Sequence, residues 1–286
     1  MDASSDFVGR AAELDVLEAE WRAARGAFVP IYGRRRVGKS ELVLRFLKGR
    51  PGLYHVGKVA PAELQLREFL DEAATLLDEP LLRELPGGNW KRALEEVVRR
   101  FKGKKLVLAF DEFQWTAEAS PELPSVLQEL WDRDWKKSGK VMLLLCGSFV
   151  GFMEREVLGK KSPLYGRRTA QMHLMPLGYG EAAQFHRGWS LEHRAAAYFI
   201  CGGVPQYLRT FEPGRSLRQN VEATLLSEFA PLFREPEFLL REELREVESY
   251  HAVLLAIASG AGATRQIAER AGLPERSLPY YLEQLV

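Results

Sequence analysis

An eight-residue pattern near the start of the chain constrains its fold more than any other feature. Residues 33–40 have the sequence Gly-Arg-Arg-Arg-Val-Gly-Lys-Ser, which is a complete phosphate-loop pattern. The pattern follows a short apolar segment at 28–32 and precedes a helical pattern from residue 39, which is the strand, loop and helix context that such a loop requires. A chance glycine-rich turn is the competing interpretation, and the combination of strand, helix and Lys-Ser favours the phosphate loop.

The residue types of this pattern suit the binding of a polyphosphate. Gly33 and Gly38 allow the tight backbone path that turns N–H groups toward an anion, and the N-terminus of the next helix adds its positive end. Lys39 would neutralise charge on the β- and γ-phosphates, and the Ser40 hydroxyl would ligate Mg²⁺. We therefore expect ATP or ADP to bind here with Mg²⁺. The expected contacts are Gly33, Arg34, Arg35, Arg36, Val37, Gly38, Lys39, Ser40 and Glu41.

Alternating segments in the first two thirds of the chain predict an α/β fold. Strands are expected at 28–32, 53–56, 106–110, 141–146 and 170–174. Helices are expected at 10–25, 39–48, 61–77, 90–101 and 126–135, with a turn at Pro86, Gly87 and Gly88. Strands that alternate with helices indicate a parallel sheet covered on both faces.

A second chemical signal follows the third predicted strand. The run 106–110 leads into Asp111 and Glu112, which places two carboxylates at the carboxyl edge of the sheet. Asp111 is suited to hold Mg²⁺ through water, and Glu112 to orient and deprotonate a water molecule. A buried strand that ends in Asp-Glu often only enters a solvated loop. Together with the phosphate loop, however, the pair indicates ATP hydrolysis.

Two further sets of polar residues are candidates with simpler alternatives. Ser148 follows the strand predicted at 141–146 and would touch the attacking water or the γ-phosphate, unless Gly147-Ser148 is only a turn. Arg167 and Arg168 precede the last predicted strand. One of them would reach a γ-phosphate of the same or a neighbouring chain, unless both are solvated charges. The sequence leaves these alternatives open.

Composition excludes several other classes of protein. The 286 residues are 46% hydrophobic and 28% charged, which is typical of a globular protein and excludes disordered and fibrous chains. The two cysteines, Cys146 and Cys201, fit buried thiols in a reducing compartment. Because the first ten residues lack an apolar signal segment and no apolar run reaches the length of a membrane span, we expect a cytoplasmic protein without membrane contact. The net charge of +1 gives no overall attraction to nucleic acid.

The rest of the chain is predicted to be helical. Strand patterns end before residue 178, and helices are expected at 181–186, 191–200, 217–229, 239–248 and 250–258, followed by two short ones. The patterns divide the chain into an α/β domain at 1–177, a helical lid at 178–248 and a third segment at 249–286.

The order of the motifs resembles one family, the archaeal-type ATPases of the STAND and AAA+ group of P-loop proteins. The resemblance covers almost the whole chain. The matching segments are FVGR at 7–10, YGRRRVGKS at 32–40, LAFDEFQW at 108–115, LLCGS at 144–148, LYGRRT at 164–169 and YFICGGVPQYL at 198–208. Three arginines within the phosphate loop and the Gly-Gly-x-Pro element make the match specific.

This resemblance implies further roles. The implied adenine contacts are Phe7, Val8, Gly9 and, from the helical lid, Pro205. Ser148 would be the sensor on the fourth strand. Arg167 or Arg168 would act as an arginine finger, which requires a homo-oligomer if it acts across a subunit contact. A simpler interpretation of residues 202–205 is a glycine turn between two helices, and both interpretations hold together.

The final segment resembles the start of a winged helix-turn-helix, which follows the lid in this family. Helices at 250–258 and 264–271, a turn at Gly272 and a recognition helix at 274–286 would form it. The sequence stops before a wing, and Pro279 is expected to kink the recognition helix. Residues 251–286 carry three arginines and three glutamates, whereas a DNA reader is usually basic. DNA and a protein partner both stay open.

The leading hypothesis is an ATP-hydrolysing molecular switch. One alternative is a regulatory module that binds nucleotide with negligible turnover. Another is a small-molecule phosphotransferase, which the pair of Asp111 and Glu112 disfavours because it is suited to activate water.

Overall fold

The fold is built on five parallel strands. The computed structural model describes residues 7–85, 89–243 and 246–285. The strands are Ala27–Tyr32 (β1), Gly52–Val56 (β2), Leu106–Asp111 (β3), Val141–Gly147 (β4) and Met172–His173 (β5). They pair in the order β2-β3-β4-β1-β5, and every pair is parallel. The predicted parallel α/β sheet is therefore confirmed.

The sheet is covered on both faces because alternate residues of its central strands enter two separate cores. In β1, Phe28 and Tyr32 belong to one cluster of buried side chains, and Val29 and Ile31 belong to the other. β4 divides in the same way. Every residue of β1, β3 and β4 is buried, which explains why these strands have continuous apolar sequences.

The last strand is shorter than the five residues predicted. Only Met172 and His173 pair with Ile31 and Tyr32 of β1. Backbone hydrogen bonds continue on either side, from the Thr169 N–H to the Phe28 carbonyl (2.8 Å) and from the Leu174 N–H to the Tyr32 carbonyl (2.7 Å). The segment around β5 therefore follows the edge of β1.

Helices account for most of the remaining described residues. The α-helices are Ala11–Arg22 (α1), Lys39–Leu47 (α2), Ala62–Leu77 (α3), Trp90–Arg100 (α4), Phe113–Ala119 (α5), Leu123–Leu130 (α6), Lys136–Ser138 (α7), Val150–Phe152 (α8), Tyr179–Ala182 (α9), Leu191–Cys201 (α10), Pro205–Thr210 (α11), Leu217–Val221 (α12), Glu235–Glu243 (α13), Val247–Ala258 (α14), Thr264–Ala271 (α15) and Leu278–Leu285 (α16). Within the described ranges, none of these helices has the length and apolar character needed to cross a bilayer. The turn predicted at Pro86, Gly87 and Gly88 lies outside the described residues.

The helix predicted at 239–248 overlaps parts of two helices of the structure, and its residues 244 and 245 lie outside the described residues. α13 ends at Glu243, and α14 begins at Val247 and continues to Ala258. The predicted boundary at residue 249 thus falls within the first turn of α14. Glu246 is not helical (φ −104°, ψ 60°), and the charged residues of this stretch gave no periodic signal for that interruption.

The chain forms two compact units, residues 1–209 and 210–286. The predicted boundary after residue 177 differs from this division, because hydrogen bonds join the helical residues 178–209 to the segments that flank β5 and α1. The Leu177 N–H donates to the Gly203 carbonyl (2.9 Å), and the Arg10 N–H donates to Glu181 Oε1 (2.8 Å). The first unit therefore contains both the sheet and these helices.

The second unit has its own apolar core. Tyr250, Val253 and Leu278 are buried there, and the Tyr281 hydroxyl donates to Glu246 Oε2 (2.6 Å). α15 ends at Gly272 in the left-handed region, as a helix-ending glycine does. Of the recognition helix predicted at 274–286, α16 begins only at Leu278, so Pro279 lies in its first turn, where a proline needs no intrahelical N–H bond.

His55 is a buried base in the first unit. Its side chain in β2 is 1% exposed, and its ring centroid lies 5.8–6.0 Å from those of Phe69, Trp90 and Phe110. Burial lowers the pKa of His55 to about 4, because the apolar surroundings disfavour the imidazolium form. The folded protein therefore binds this proton less readily than the unfolded chain.

Acid should destabilise the first unit through His55. Between the unfolded pKa near 6.5 and the folded pKa near 4, the unfolded state binds more protons, so the stabilising effect is complete above pH 6.5 and declines below it. Lowering the pH from 7.5 to 5 should reduce the free energy of unfolding by about 2 kcal/mol through this residue. Urea unfolding at both pH values checks this: His55→Leu should show a smaller decline, and the exposed control His193→Leu should match the parent. Equal declines in all three proteins would contradict the prediction.

Candidate functional site

The phosphate loop joins β1 to α2 and has a strained, tightly constrained backbone. Gly33 has φ 151° and lies so close to Leu174 that a Cβ atom would be 2.2 Å from its carbonyl oxygen. Gly38 (φ 94°) and Arg36 (φ 69°) lie in the left-handed region. The loop therefore needs glycine at both ends, as the sequence indicated. Among the described residues, no side chain caps the N-terminus of α2, and uncapped N–H groups at a helix start are suited to bind an anion.

Lys39 is buried at the centre of the loop. Its side chain is 5% exposed, and Nζ donates to the carbonyl oxygens of Gly33 (2.8 Å) and Arg34 (3.0 Å). Burial lowers the pKa of Lys39, whereas the nearby carboxylates of Glu112 and Asp111 raise it. The loop thus holds the Lys39 ammonium group at the position where the sequence pattern predicts a phosphate group.

Asp111 ends β3 with a carboxylate that is 2% exposed. Its Oδ1 accepts from the Glu112 N–H (3.0 Å), and its Oδ2 accepts from the Tyr54 hydroxyl (2.5 Å). Burial and Asp111 raise the pKa of Tyr54, and the neighbouring Ser40 side chain lowers it. The two predicted metal ligands, Ser40 and Asp111, therefore approach the same hydroxyl. Hydroxyl and carboxylate oxygens are donors that suit Mg²⁺.

Glu112 lies at the start of α5 with its carboxylate held by two side chains. Its Oε2 accepts from the Ser148 hydroxyl (2.6 Å) and from Gln114 Nε2, which also contacts Ser148 Oγ (3.3 Å). Glu112 has φ 46°, an uncommon conformation for a residue with a side chain. The structure thus brings Ser148 to Glu112 across the ends of neighbouring strands.

Gln114 and Tyr54 are the site residues that sequence reasoning missed. Gln114 is 2% exposed, and its Oε1 has no hydrogen-bond partner among the described residues. Its place in the first turn of α5, two residues after Glu112, was the available signal. Tyr54 gave none, because it lies 57 residues before Asp111 and reaches it only through the pairing of β2 with β3.

A cavity of about 330 Å³ adjoins the loop. Lys39, Ser40, Glu41 and Glu112 line it together with Arg35, Arg36, Gly38, Pro205, Gln206 and Arg209. Glu41 forms two hydrogen bonds to Arg209 (2.7 and 2.9 Å). The Arg36 guanidinium lies 5.7 Å from the Tyr207 ring centroid and donates to its hydroxyl (3.3 Å). α11 therefore borders the phosphate loop, and it begins at Pro205, two residues after the glycine turn at Gly202 and Gly203.

Phe7, Val8 and Gly9 do not line this cavity. The Phe7 ring lies beside α2, with the Arg45 guanidinium 5.8 Å from its centroid. Gly9 has φ 73°, and a Cβ there would be 2.5 Å from Glu181 Oε1. Adenine contact by these three residues and by Pro205 stays a prediction.

Arg167 and Arg168 also lie away from the cavity of their own chain. Arg167 is engaged by Asp132 through Nε (3.0 Å) and Nη2 (2.7 Å), and its Nη1 donates to the carbonyls of Pro163 (2.8 Å) and Tyr165 (3.1 Å). Arg168 is exposed. Of the two, only Arg168 projects into solvent.

Solved structures share this fold. The Walker-type ATPase PABY2304 of Pyrococcus abyssi matches with a TM-score of 0.69 at 21% identity, over 99% of this chain and 90% of that one. The Aeropyrum pernix ORC2 protein, solved as ADPNP and ADP complexes, matches with a TM-score of 0.62 at 16% identity, over 98% and 86%. At such identities the likeness concerns the fold.

Sequence comparison identifies the family. An uncharacterized protein of Methanocaldococcus jannaschii is 29% identical over 280 residues, which are 98% of this chain, and the chain spans 60% of that protein's length. The family of ATPase domains found predominantly in Archaea matches residues 7–211, which run from Phe7 to just beyond α11. With its phosphate loop, carboxylate pair and parallel sheet, the chain belongs to this archaeal ATPase family.

Proposed function

We propose that the chain binds ATP with Mg²⁺ at the phosphate loop, hydrolyses it, and uses the cycle to switch the helices of residues 178–209. The observation that carries this proposal is the meeting of four groups at one edge of the sheet: the loop, Lys39, Asp111 and Glu112. Binding alone would need only the loop and the lysine. A carboxylate beside them adds a base for water.

Each group has a distinct part in the proposed reaction. The loop N–H groups and Lys39 hold the β- and γ-phosphates, and Ser148 helps to fix Glu112. Ser40 would hold Mg²⁺ directly and Asp111 would do so through water; the ion supplies positive charge to the phosphate oxygens. Glu112 orients a water molecule in line with the γ-phosphate and accepts its proton as the oxygen bonds to phosphorus. The bond from that phosphorus to the bridging oxygen breaks, and ADP leaves with this oxygen.

The switch would act through α11. Its Pro205 lines the cavity beside the loop. Its Tyr207 accepts a hydrogen bond from Arg36 of the loop, and its Arg209 donates to Glu41 of α2. Nucleotide that fills the cavity must touch these groups. If ATP and ADP touch them differently, the two nucleotides stabilise different positions of the helices.

One observation favours the alternative, a regulatory module with negligible turnover. Gln114 and Ser148 both donate to the carboxylate of Glu112, and such hydrogen bonds compete with a water molecule for its oxygens. Measuring hydrolysis in a variant of Glu112 separates the two functions.

Glu112→Gln should bind ATP normally and lose hydrolysis. The amide still hydrogen-bonds water but cannot accept its proton, so turnover should fall by about 100-fold or more while ATP affinity stays within about 3-fold. Phosphate release and calorimetry measure the two quantities, and the exposed Glu122→Gln is the matched control. Parent-level turnover in Glu112→Gln would show that Glu112 is not the base, and undetectable turnover in the parent would support the regulatory module.

We propose Arg168, rather than Arg167, as the finger that a homo-oligomer would supply to a neighbouring site. Arg167 is held by Asp132 and two carbonyls, whereas Arg168 is exposed. Arg168→Ala should lower turnover at least about 10-fold at protein concentrations that allow assembly, since a finger stabilises charge in the transition state. Arg167→Ala is the matched control and should retain most activity. Turnover per subunit that is unchanged by dilution, with Arg168→Ala fully active, would argue against a finger in trans.

Residues 249–286 are proposed as a helix-turn-helix output segment that contacts a protein or, weakly, DNA. Its three arginines and three glutamates leave few net phosphate contacts. A labelled DNA duplex at low salt should therefore bind with a dissociation constant above ~1 µM. Tighter binding that weakens steeply with salt, and that is lost in Arg265→Glu and Arg270→Glu, would refute this and indicate a DNA reader.

A further inference from the structure

Arg10 is a buried guanidinium outside the residues assigned to the reaction. It directly precedes α1 and is 6% exposed. Both Gly9 (φ 73°) and Arg10 (φ 64°) lie in the left-handed region, which is costly for a residue with a side chain. A buried charge in a strained backbone persists where several partners stabilise it.

The partners of this side chain come from three parts of the first unit. Nη1 donates to Glu13 Oε1 (2.8 Å) in α1. Nη2 donates to two carbonyl oxygens, that of Val37 in the phosphate loop (2.9 Å) and that of Met175 after β5 (2.7 Å). One end of the guanidinium thus joins the loop to the segment that leads into the helices at 178–209.

Holding the Val37 carbonyl fixes the direction of a phosphate donor. The described peptide bonds are all trans, and in a trans peptide the C=O of one residue and the N–H of the next point in opposite directions. The N–H of Gly38 therefore points away from Arg10. Gly38 lines the cavity, and as a glycine it would otherwise permit this peptide plane to rotate.

The backbone of Arg10 makes the connection to the helices. Its N–H donates to Glu181 Oε1 (2.8 Å) in α9. The carboxylate can approach because residue 9 is glycine; a Cβ would lie 2.5 Å from the same oxygen. A shift of the loop at Val37 is thus linked through one residue to the start of the helical segment.

We infer that Arg10 is a positioning residue for polyphosphate: it orients the Gly38 N–H by holding the Val37 carbonyl, and it ties the loop to the helices through Met175 and Glu181. This inference rests on the proposed nucleotide site. It assigns to Arg10 of the FVGR segment a role in phosphate recognition.

The test separates phosphate binding from stability. Arg10→Met removes both carbonyl contacts, and Arg10→Lys keeps the charge while reaching one carbonyl at most. The matched control is Arg50→Met, because Arg50 also donates to a helix carbonyl, that of Phe46, and to a carboxylate, that of Glu18, at the far end of α2. Calorimetry gives the affinities for ADP, pyrophosphate and adenosine, and a ¹H–¹⁵N spectrum follows the Gly38 amide.

Both Arg10 variants should lose ADP and pyrophosphate affinity by about 10-fold or more, the scale of one hydrogen bond to a charged group. Adenosine affinity should not change, and Arg50→Met should bind as the parent does. The Gly38 amide should move downfield when pyrophosphate is added to the parent and should move less in Arg10→Lys. A merely structural role would lower the melting temperature without this selective loss.

Two results would overturn parts of the account separately. If the parent binds ADP and folded Arg10→Lys binds it equally, with the same movement of the Gly38 amide, the role of Arg10 is wrong and the nucleotide site stands. If the parent binds neither ADP nor pyrophosphate, the proposed function itself fails. Should Arg10→Met not fold, Arg10→Lys decides the question.

Discussion

The orientation of the phosphate-loop backbone is the constraint on which the site depends. A polyphosphate can be held by N–H groups only if their peptide planes are fixed before it binds, because each free rotation costs affinity. The loop is fixed from several sides: Gly33 packs against the Leu174 carbonyl, Lys39 holds the carbonyls of Gly33 and Arg34 from within, and Arg10 holds that of Val37. Lys39 inside the loop and Arg10 behind it thus donate to carbonyl groups of the loop, which leaves the loop N–H groups to the proposed phosphate.

The strand order brings the rest of the chemistry to that loop. β3, β4 and β1 are neighbours, and because they are parallel their carboxyl ends meet at one edge. Asp111 ends β3 and Glu112 follows it, Ser148 follows β4, and the loop follows β1. Residues far apart in the chain therefore lie within hydrogen-bonding distance, as Ser148 and Glu112 do.

Much of this could be predicted because it is written in local patterns. Continuous apolar runs identified the buried strands, and the loop sequence identified the turn from β1 to α2. Contacts that depend on side-chain direction between distant elements could not be predicted, which is why Tyr54 beside Asp111 and Asp132 beside Arg167 were missed. Arg10 was noticed only as part of a motif, since a buried guanidinium cannot be told from a surface one by sequence. The interruption at Glu246, directly before α14, was missed because charged residues surround it.

Calorimetric titration with Mg²⁺ and ADP tests the central claim, that nucleotide binds through its phosphates at residues 33–40. The comparison needs the parent chain, Lys39→Ala and the exposed control Lys48→Ala at the end of the same helix. The parent and Lys48→Ala should bind alike, and Lys39→Ala should lose about 100-fold or more in affinity, because a buried cation that faces the phosphates is removed. Unchanged affinity in folded Lys39→Ala would contradict the account.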